Sequence, residues 1–341
     1  MLAIDPVEST QPKLPATAWR IGLGAGLAGA LLVALKYALR PPTRRPVPDT
    51  ISPASFATKV LHTSRGELVY HEAGHGRPIL FVHNVGLGAS SYEWARVYPA
   101  FAGDFRVFAL DLIGFGESSR PELPFVGEDF VCILAEAARA LGGGEPVIVV
   151  ASGLSAAFCA QLAARHPELV ARLILHMPDG SGHCGQHRLT RLSRFIYRAP
   201  LLGRFLYRNH LSTRAAVTHW LRKAAFAEPA LVTEETIQVV ATCAGQPGAE
   251  FAALRWLSGR LSVDLAAALQ AITQPVALTW GGAVPAAPIA LGRELQQLAR
   301  ATSLTIFPES GILAARESSA EMTAALKEQL RGDLRLVQKA S

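Results

Sequence analysis

The stretch VIVVASGLSAAFCAQLAARHPE, residues 147–168, predicts a buried strand, a sharp turn and an amphipathic helix. Its first residues form a short apolar run of strand length, and small and apolar residues recur through the longer segment after the turn. The five residues at the turn are Ala151-Ser152-Gly153-Leu154-Ser155, so the position at its tip is occupied by Gly153, which has no side chain.

The composition fits a chain with one large core. Of its 341 residues 50% are hydrophobic, which is compatible with one α/β domain carrying an insertion or with two domains. The formal net charge of +6 suggests an anionic neighbour, either lipid head groups or nucleic acid. The 4 cysteines are far apart and form no C-x-x-C pair, so we expect no disulfide framework, no metal site and no cofactor.

Residues 21–39, IGLGAGLAGALLVALKYAL, predict one membrane-spanning helix. They contain a single charge, Lys36, and as a helix would be roughly 28 Å long. A cleaved signal peptide is the alternative, but the stretch lacks an A-x-A cleavage site. Its G-x-G-x-x-G pattern follows no strand, so a dinucleotide site is not indicated.

Basic residues cluster near the end of this stretch and just after it, at Lys36, Arg40, Arg44 and Arg45. Because basic flanks stay in the cytoplasm, we expect the main part of the chain to be cytoplasmic. The predicted organisation is a tail at 1–20, the span at 21–39, a proline-rich linker at 40–56 and a folded domain at 57–341. Small residues on one face of the span suggest a membrane-protein partner; they include Gly22, Gly26 and Gly29.

After the linker, strand-like runs alternate with helical ones, which predicts a mostly parallel sheet covered on both faces. A hairpin is predicted around residues 60–73. The predicted strands are 67–71, 78–83, 106–111, 146–150, 172–176, 275–280 and 303–307. The predicted helices are 91–101, 128–141, 154–165, 289–301 and 318–331.

Three separate motifs in this order resemble the α/β-hydrolase family. They are PILFVHNVGLGASSYEWARVYPAFAGDFRVFALDLIGFGESSRP at 78–121, VASGLSAAFCAQLAARHPELVARLIL at 150–175 and QPVALTWGGAVPAAPIALGRELQQLARATSLTIFPESGIL at 274–313. The resemblance implies an eight-stranded, mostly parallel sheet with a helical cap inserted at about 180–262. QPGAEFAALRWLSGRL, 246–261, is similar to the end of such a cap.

The same resemblance implies a nucleophile, an acid and a histidine at three positions, and this sequence lacks all three. The serine position falls on Gly153, the aspartate position on Val284 and the histidine position on Ile312. The oxyanion-loop equivalents are His83, Asn84 and Leu154. None of the 10 histidines lies beyond His219, so no base follows the last strand.

Ser152 and Asp179 are the remaining candidates for catalysis. Ser152 would be a displaced nucleophile, and Asp179 would be a relocated acid or, alternatively, a turn residue. Ser155 is expected to cap the helix or to pack as a small residue, and His83 is expected to be structural. Without a base, a serine hydroxyl is a poor nucleophile near neutral pH.

The segment 180–227 is rich in arginine and has no Asp or Glu, which predicts a basic amphipathic surface. We expect this surface to rest against anionic lipid, with a solvated basic face as the alternative. Nucleic acid is not expected, since aromatic and glycine-rich binding motifs are missing. The residues of the basic face are Arg188, Arg191, Arg194, Arg198, Arg204 and Arg208.

These observations lead to an expectation of a non-catalytic, membrane-anchored α/β-hydrolase-fold protein. It would act as a binding or structural component, either an accessory subunit of a membrane complex or a lipid-pocket protein. The alternative is a membrane-bound serine esterase or lipase-like hydrolase that uses Ser152.

Overall fold

The computed structural model describes residues 29–30, 32–33, 43, 45–180, 197–301 and 303–331. The chain divides into two compact units, Met1–Pro41 and Pro42–Ser341. The fold and every site discussed below belong to the second unit.

An eight-stranded sheet forms the centre of this unit, in the order β1-β2-β4-β3-β5-β6-β7-β8. The first two strands form a hairpin, β2 is antiparallel to β4, and every other pairing is parallel. The strands are β1 Ala57–Thr63, β2 Gly66–Ala73, β3 Pro78–Val82, β4 Arg106–Asp111, β5 Val147–Ser152, β6 Val170–His176, β7 Val276–Gly281 and β8 Ser303–Phe307.

Helices pack against the sheet, and others lie in the described part of the long connection between β6 and β7. The α-helices are α1 Gly127–Gly142, α2 Gly153–Arg165, α3 Pro200–Leu206, α4 Arg214–Trp220, α5 Glu234–Ala244, α6 Ala249–Leu257, α7 Leu265–Ala271, α8 Ile289–Leu298, α9 Ala314–Glu317 and α10 Ser319–Gln329. Single 3₁₀ turns are Asp49–Ile51, Ser91–Trp94, Tyr98–Phe101, Pro167–Leu169 and Pro229–Leu231, and π turns are Tyr207–Leu211 and Leu221–Ala225.

The largest part of the core lies between the sheet and helices α1 and α2. The Phe130 and Phe158 rings, one from each helix, stack with centroids 5.2 Å apart. Acidic residues begin α1, where they complement the helix dipole, and Gly143 ends it in the left-handed conformation with φ of 62°. The strands β3 and β5 are buried along their whole length, as expected of central parallel strands.

The sequence predicted most elements to within two or three residues, and the hairpin is confirmed. The helix predicted at 91–101 is wrong: the structure has two separate 3₁₀ turns, interrupted where Val97 precedes Tyr98-Pro99. Proline lacks the N–H that a continuous helix would need at that position. The helix predicted at 318–331 is divided into α9 and α10.

The predicted membrane span at 21–39 lies mostly outside the described residues. Of this stretch only 29, 30, 32 and 33 are described, and they are helical. Among the residues that the structure describes, no helix combines the length and apolarity that a bilayer crossing requires.

The loop after β3 touches the connection between β6 and β7 through its backbone. A β-carbon added to Gly88 would lie 2.1 Å from the carbonyl oxygen of Val240 in α5, and Gly88 has φ of +68°. Glycine is therefore required at this contact. The contact places α5 directly over the carboxyl ends of the central strands, where ligands bind in open α/β sheets.

Candidate active site

The turn between β5 and α2 has the backbone of a nucleophile elbow. Gly153 is the first residue of α2 and has φ of +53°, in the left-handed region. A strained turn of this kind displays the nucleophile in related folds. The sequence placed Gly153 at this position, and the structure shows the turn without a side chain to display.

The side chain of Asn84 fills the space above Gly153. A β-carbon added to Gly153 would lie 2.1 Å from Asn84 Oδ1. The same oxygen accepts hydrogen bonds from the N–H of Leu154, at 2.9 Å, and from the N–H of Val85, at 2.8 Å. In related folds the oxyanion donors are the N–H of the residue after the nucleophile and one N–H from the loop after β3. Leu154 and Val85 stand at these places, and the amide oxygen of Asn84 accepts from both.

The positions expected to hold the acid and the histidine are apolar in the structure. Val284 and Ile312 are buried in one small cluster with Met177, Trp280 and Ala287. The Ile312 carbonyl oxygen lies 3.1 Å from His176 Nε2. This apolar corner therefore provides no carboxylate or imidazole side chain from either position.

His176 lies beside this corner, and the sequence analysis did not select it. It ends β6 next to Ser152 of β5, and both line a small cavity with Asn84 and Gly153. Its Nδ1 lies 3.0 Å from Thr279 Oγ1, so both ring nitrogens have partners. Burial lowers the pKa of His176 to about 4, and the imidazole is neutral at pH 7.

Ser152 and Ser155 are buried, and neither hydroxyl has a hydrogen-bond partner within the described part of the chain. Ser155 lies inside α2 and packs as a small residue, one of the two roles expected for it. Asp179 lies on the wall of a larger cavity, where its N–H donates to the Gly153 carbonyl oxygen at 3.0 Å. His83 is buried: Nδ1 is 2.7 Å from the Asn84 carbonyl oxygen, and Nε2 accepts the Leu112 N–H.

Glu93 is the functional candidate that the sequence analysis missed. Its carboxylate accepts the N–H of Asn84 at 2.8 Å, and its side chain lines the larger cavity. Burial raises the pKa of Glu93 to about 7, while the nearby Ser152 hydroxyl and the Asn84 N–H oppose that rise. The Ser152 hydroxyl is close to this carboxyl group but does not reach hydrogen-bond geometry. The sequence signal for Glu93 was that it is the only acidic residue in SSYEWARVYP, residues 90–99, directly after the oxyanion loop.

The wall of the larger cavity is mostly apolar. Trp220, Val240 and Trp256 contribute to it from the segment between β6 and β7. Arg316 supplies a buried cation at the same wall, where its guanidinium lies 3.8 Å from the Tyr92 ring centroid. Burial lowers the pKa of Arg316 to about 10, which leaves it charged at pH 7.

The structure describes part of the predicted basic face, namely Arg198, Arg204 and Arg208. Arg188, Arg191 and Arg194 lie outside the described residues. Arg204 forms an ion pair with Glu122 and lies over the Phe251 ring at 5.0 Å, and Arg208 forms an ion pair with Glu250. These two arginines are therefore paired within the chain, and their contact with lipid stays a prediction.

Residues 77–311 match the family model for the alpha/beta hydrolase fold, and the chain belongs to this family. It is 29% identical to 2-hydroxy-6-oxo-6-(2'-aminophenyl)hexa-2,4-dienoic acid hydrolase of Metapseudomonas resinovorans over 36% of this chain and 43% of the relative. It is 33% identical to 2-hydroxymuconate semialdehyde hydrolase of Pseudomonas sp. (strain CF600) over 31% of this chain and 38% of the relative. The chain thus matches about two fifths of the length of these relatives.

A solved structure with a similar fold is the CarC enzyme, a serine hydrolase involved in carbazole degradation. The TM-score is 0.64 at 22% identity, with 81% of this chain and 99% of that chain covered. The relatives overturn the expectation of a non-catalytic binding or structural component, because they are named as hydrolytic enzymes. The expectation rested on the three usual positions of the triad and took no account of Glu93.

Proposed function

We propose that the chain is a carbonyl hydrolase in which the Glu93 carboxylate activates water directly, without a serine nucleophile. The observation that carries the proposal is a buried carboxyl group with a pKa of about 7 on the wall of an apolar cavity. A general base works best when its pKa lies near the working pH. The relatives, by their names, hydrolyse an oxo-dienoic acid and a semialdehyde, which supports a carbonyl substrate.

The reaction begins when a substrate carbonyl oxygen replaces Asn84 Oδ1 on the N–H groups of Leu154 and Val85. Glu93 then takes a proton from a water molecule while the water oxygen bonds to the carbonyl carbon. The two N–H groups stabilise the negative oxygen of the tetrahedral intermediate. The bond to the leaving group breaks, and Glu93 returns its proton to that group, releasing a carboxylic acid and an alcohol or enol.

The cavity wall favours a substrate with an apolar body. Trp220, Val240 and Trp256 line the cavity and exclude water from it, which strengthens the electrostatic action of Glu93 and of the N–H pair. We assign the segment at about 180–262 to a helical cap because these side chains come from it. The cap would have to move for the substrate to enter.

The segment at 21–39 is proposed to span a membrane, with the main domain on the cytoplasmic side. Its length, its apolar composition and the basic residues after it support this topology. The face with Gly22, Gly26 and Gly29 would contact another membrane helix, and the basic cap residues would contact anionic lipid. Protease digestion of intact and permeabilised membrane vesicles tests the topology, and protection of the main domain in vesicles of known inside-out orientation would contradict it.

Hydrolysis assays of the purified full chain test the proposed reaction. The substrates are 4-nitrophenyl acetate, butyrate and octanoate together with 2-hydroxymuconate semialdehyde. We expect kcat/KM to rise with pH around a midpoint of about 7, because Glu93 must be ionised to act as a base. Glu93→Gln should lower kcat about 10²-fold or more, and the exposed Glu145→Gln is the matched control.

Two outcomes would overturn the proposal. One is wild-type protein that hydrolyses none of these substrates, and the other is Glu93→Gln that retains wild-type kcat. A serine-directed phosphonate probe separates water activation from a serine mechanism. Labelling at Ser152 that abolishes activity would support the displaced nucleophile instead, with the neighbouring Glu93 as its base.

A further inference from the structure

A histidine and two carboxylates meet away from the cavity, at the β2–β4 edge of the central strands. One ligand atom from each of His71, Asp111 and Glu117 lies within 4.8 Å of the other two. His71 and Asp111 are diagonal neighbours on adjacent antiparallel strands, since His71 pairs with Ala109 and Val69 pairs with Asp111. Diagonal neighbours lie on one face of the sheet, so the fold itself brings the two side chains together.

The imidazole of His71 has one satisfied nitrogen and one that is not. The ring is fully buried, and Nδ1 lies 3.1 Å from Thr58 Oγ1. Nε2 has no hydrogen-bond partner in the described part of the chain and lies 3.7 Å from Glu117 Oε2. When Nδ1–H donates to Thr58, the lone pair of Nε2 faces the carboxylates, an arrangement that a cation would stabilise.

Backbone donors hold the Asp111 carboxylate in place. One oxygen accepts the N–H of Ser91 at 2.6 Å, and the other accepts the N–H of Glu117 at 2.7 Å. Each carboxylate oxygen can accept a second interaction. Glu117 is more adaptable, because its side chain is 31% exposed and lines an adjacent surface cavity.

We propose that His71, Asp111 and Glu117 bind a divalent transition-metal ion, for which Zn²⁺ is the appropriate probe. Imidazole and carboxylate are both Zn²⁺ ligands, and bond lengths near 2.1 Å require donor atoms roughly 3.3 Å apart in a tetrahedral site. His71 Nε2 and Glu117 Oε2, which lie 3.7 Å apart, are already close to this spacing. Imidazole is a poor ligand for Ca²⁺ and Mg²⁺, which prefer oxygen. Arg45 and Arg120 line the adjacent cavity, and their charge limits the affinity.

The ion would join β2, the end of β4 and the turn that carries Glu117. It would therefore stabilise the fold rather than take part in hydrolysis, because no residue of this cluster lines the larger cavity. The expected readouts are metal stoichiometry and thermal stability. Both are independent of any activity of the chain.

Equilibrium dialysis of the EDTA-treated full chain against Zn²⁺, with metal analysis, tests the proposal. We expect one equivalent that is lost in His71→Ala and in Glu117→Gln, and a Tm increase of about 3 °C or more at saturating Zn²⁺. Glu117→Gln changes a partly exposed side chain, so it is informative if His71→Ala does not fold. Substitution with Co²⁺ should give a visible absorption spectrum that Glu117→Gln alters.

The nearby pair His62 and Glu67 provides a matched control. Its Nδ1–Oε1 distance is also 3.7 Å, but the side chains are 81% and 60% exposed and lie at the other end of the hairpin. His62→Ala should leave the stoichiometry unchanged. Zn²⁺ binding that is equal in wild type, His71→Ala and Glu117→Gln, or no binding by the wild type, would overturn the proposal.

Discussion

The side-chain oxygen of Asn84 lies 2.1 Å from the point where a β-carbon on Gly153 would stand. The two residues therefore form one complementary pair: the amide of the first occupies the space that a side chain at the second would need. The same oxygen satisfies the N–H groups of Leu154 and Val85. This relationship makes the effects of substitutions at the two positions interdependent.

A serine at position 153 should destabilise the fold strongly by itself and only weakly when Asn84 is also replaced. Gly153→Ser is expected to lower the free energy of unfolding by about 3 kcal/mol, through collision with Asn84 and the left-handed backbone. In the Asn84→Gly background the same change should cost about 1 kcal/mol, since the collision is removed and the backbone strain stays. Chemical denaturation of the four proteins measures this coupling, and additive effects would contradict the complementary fit.

Glu93 should make the protein less stable as the pH rises. Its pKa in the folded state, about 7, exceeds its ordinary value of 4.5, so between these pH values the folded chain holds a proton that the unfolded chain has lost. The free energy of unfolding should therefore fall by roughly 3 kcal/mol from pH 4.5 to above pH 7. Denaturation of the wild type and of Glu93→Gln across this pH range measures the fall. If the free energy of unfolding depends on pH in the same way in both proteins, the pKa of Glu93 is not raised.

His176 should have the opposite effect. Its folded-state pKa of about 4 lies below the ordinary 6.5, so the unfolded chain binds the extra proton between these values. The stability that neutral His176 contributes is present above pH 6.5 and declines by roughly 3 kcal/mol as the pH falls to 4. Histidine ring NMR signals should show no titration of this residue from pH 8 to 5.

Gly88 and Gly86 give a matched pair of substitutions in the loop after β3. Gly88→Ala should destabilise the fold by about 3 kcal/mol, because the added carbon meets the Val240 backbone and the residue has φ of +68°. A β-carbon on Gly86 would have no atom within 4 Å among the described residues, so Gly86→Ala should change stability by less than about 1 kcal/mol. Thermal denaturation compares the two; equal effects would argue against the close backbone contact.

The sequence predicted the fold because its signals are local. Apolar runs of strand length alternate with helical periods, and each element forms where its own residues favour it. The segment 91–101 is an exception, because buried Tyr92, Trp94 and Tyr98 keep their contacts through two short turns instead of one helix. Tertiary packing helps to decide whether such a segment forms one helix or two turns, and the periodicity of its apolar residues does not predict that packing.

The site was only partly predictable. Motif spacing led to Gly153, Val284 and Ile312; the first stands at the turn after β5, and the other two share one apolar cluster. Glu93 and His176 were missed because their importance depends on burial and on which strands are neighbours. The hydrogen bond from the Leu154 N–H to Asn84 Oδ1 depends on the side-chain conformation of Asn84, and motif spacing does not predict that conformation.

The close contact between Gly88 and Val240 has a mechanical consequence. The loop that carries Asn84 and Val85 is in backbone contact with α5, with no flexible side chain between them to absorb movement. Lifting α5 to admit a ligand would pull on this loop and thus on the amide that blocks the donors. Movement of α5 and release of the Leu154 and Val85 N–H groups from Asn84 would then be one coupled motion. Binding of a ligand in the cavity would drive both together.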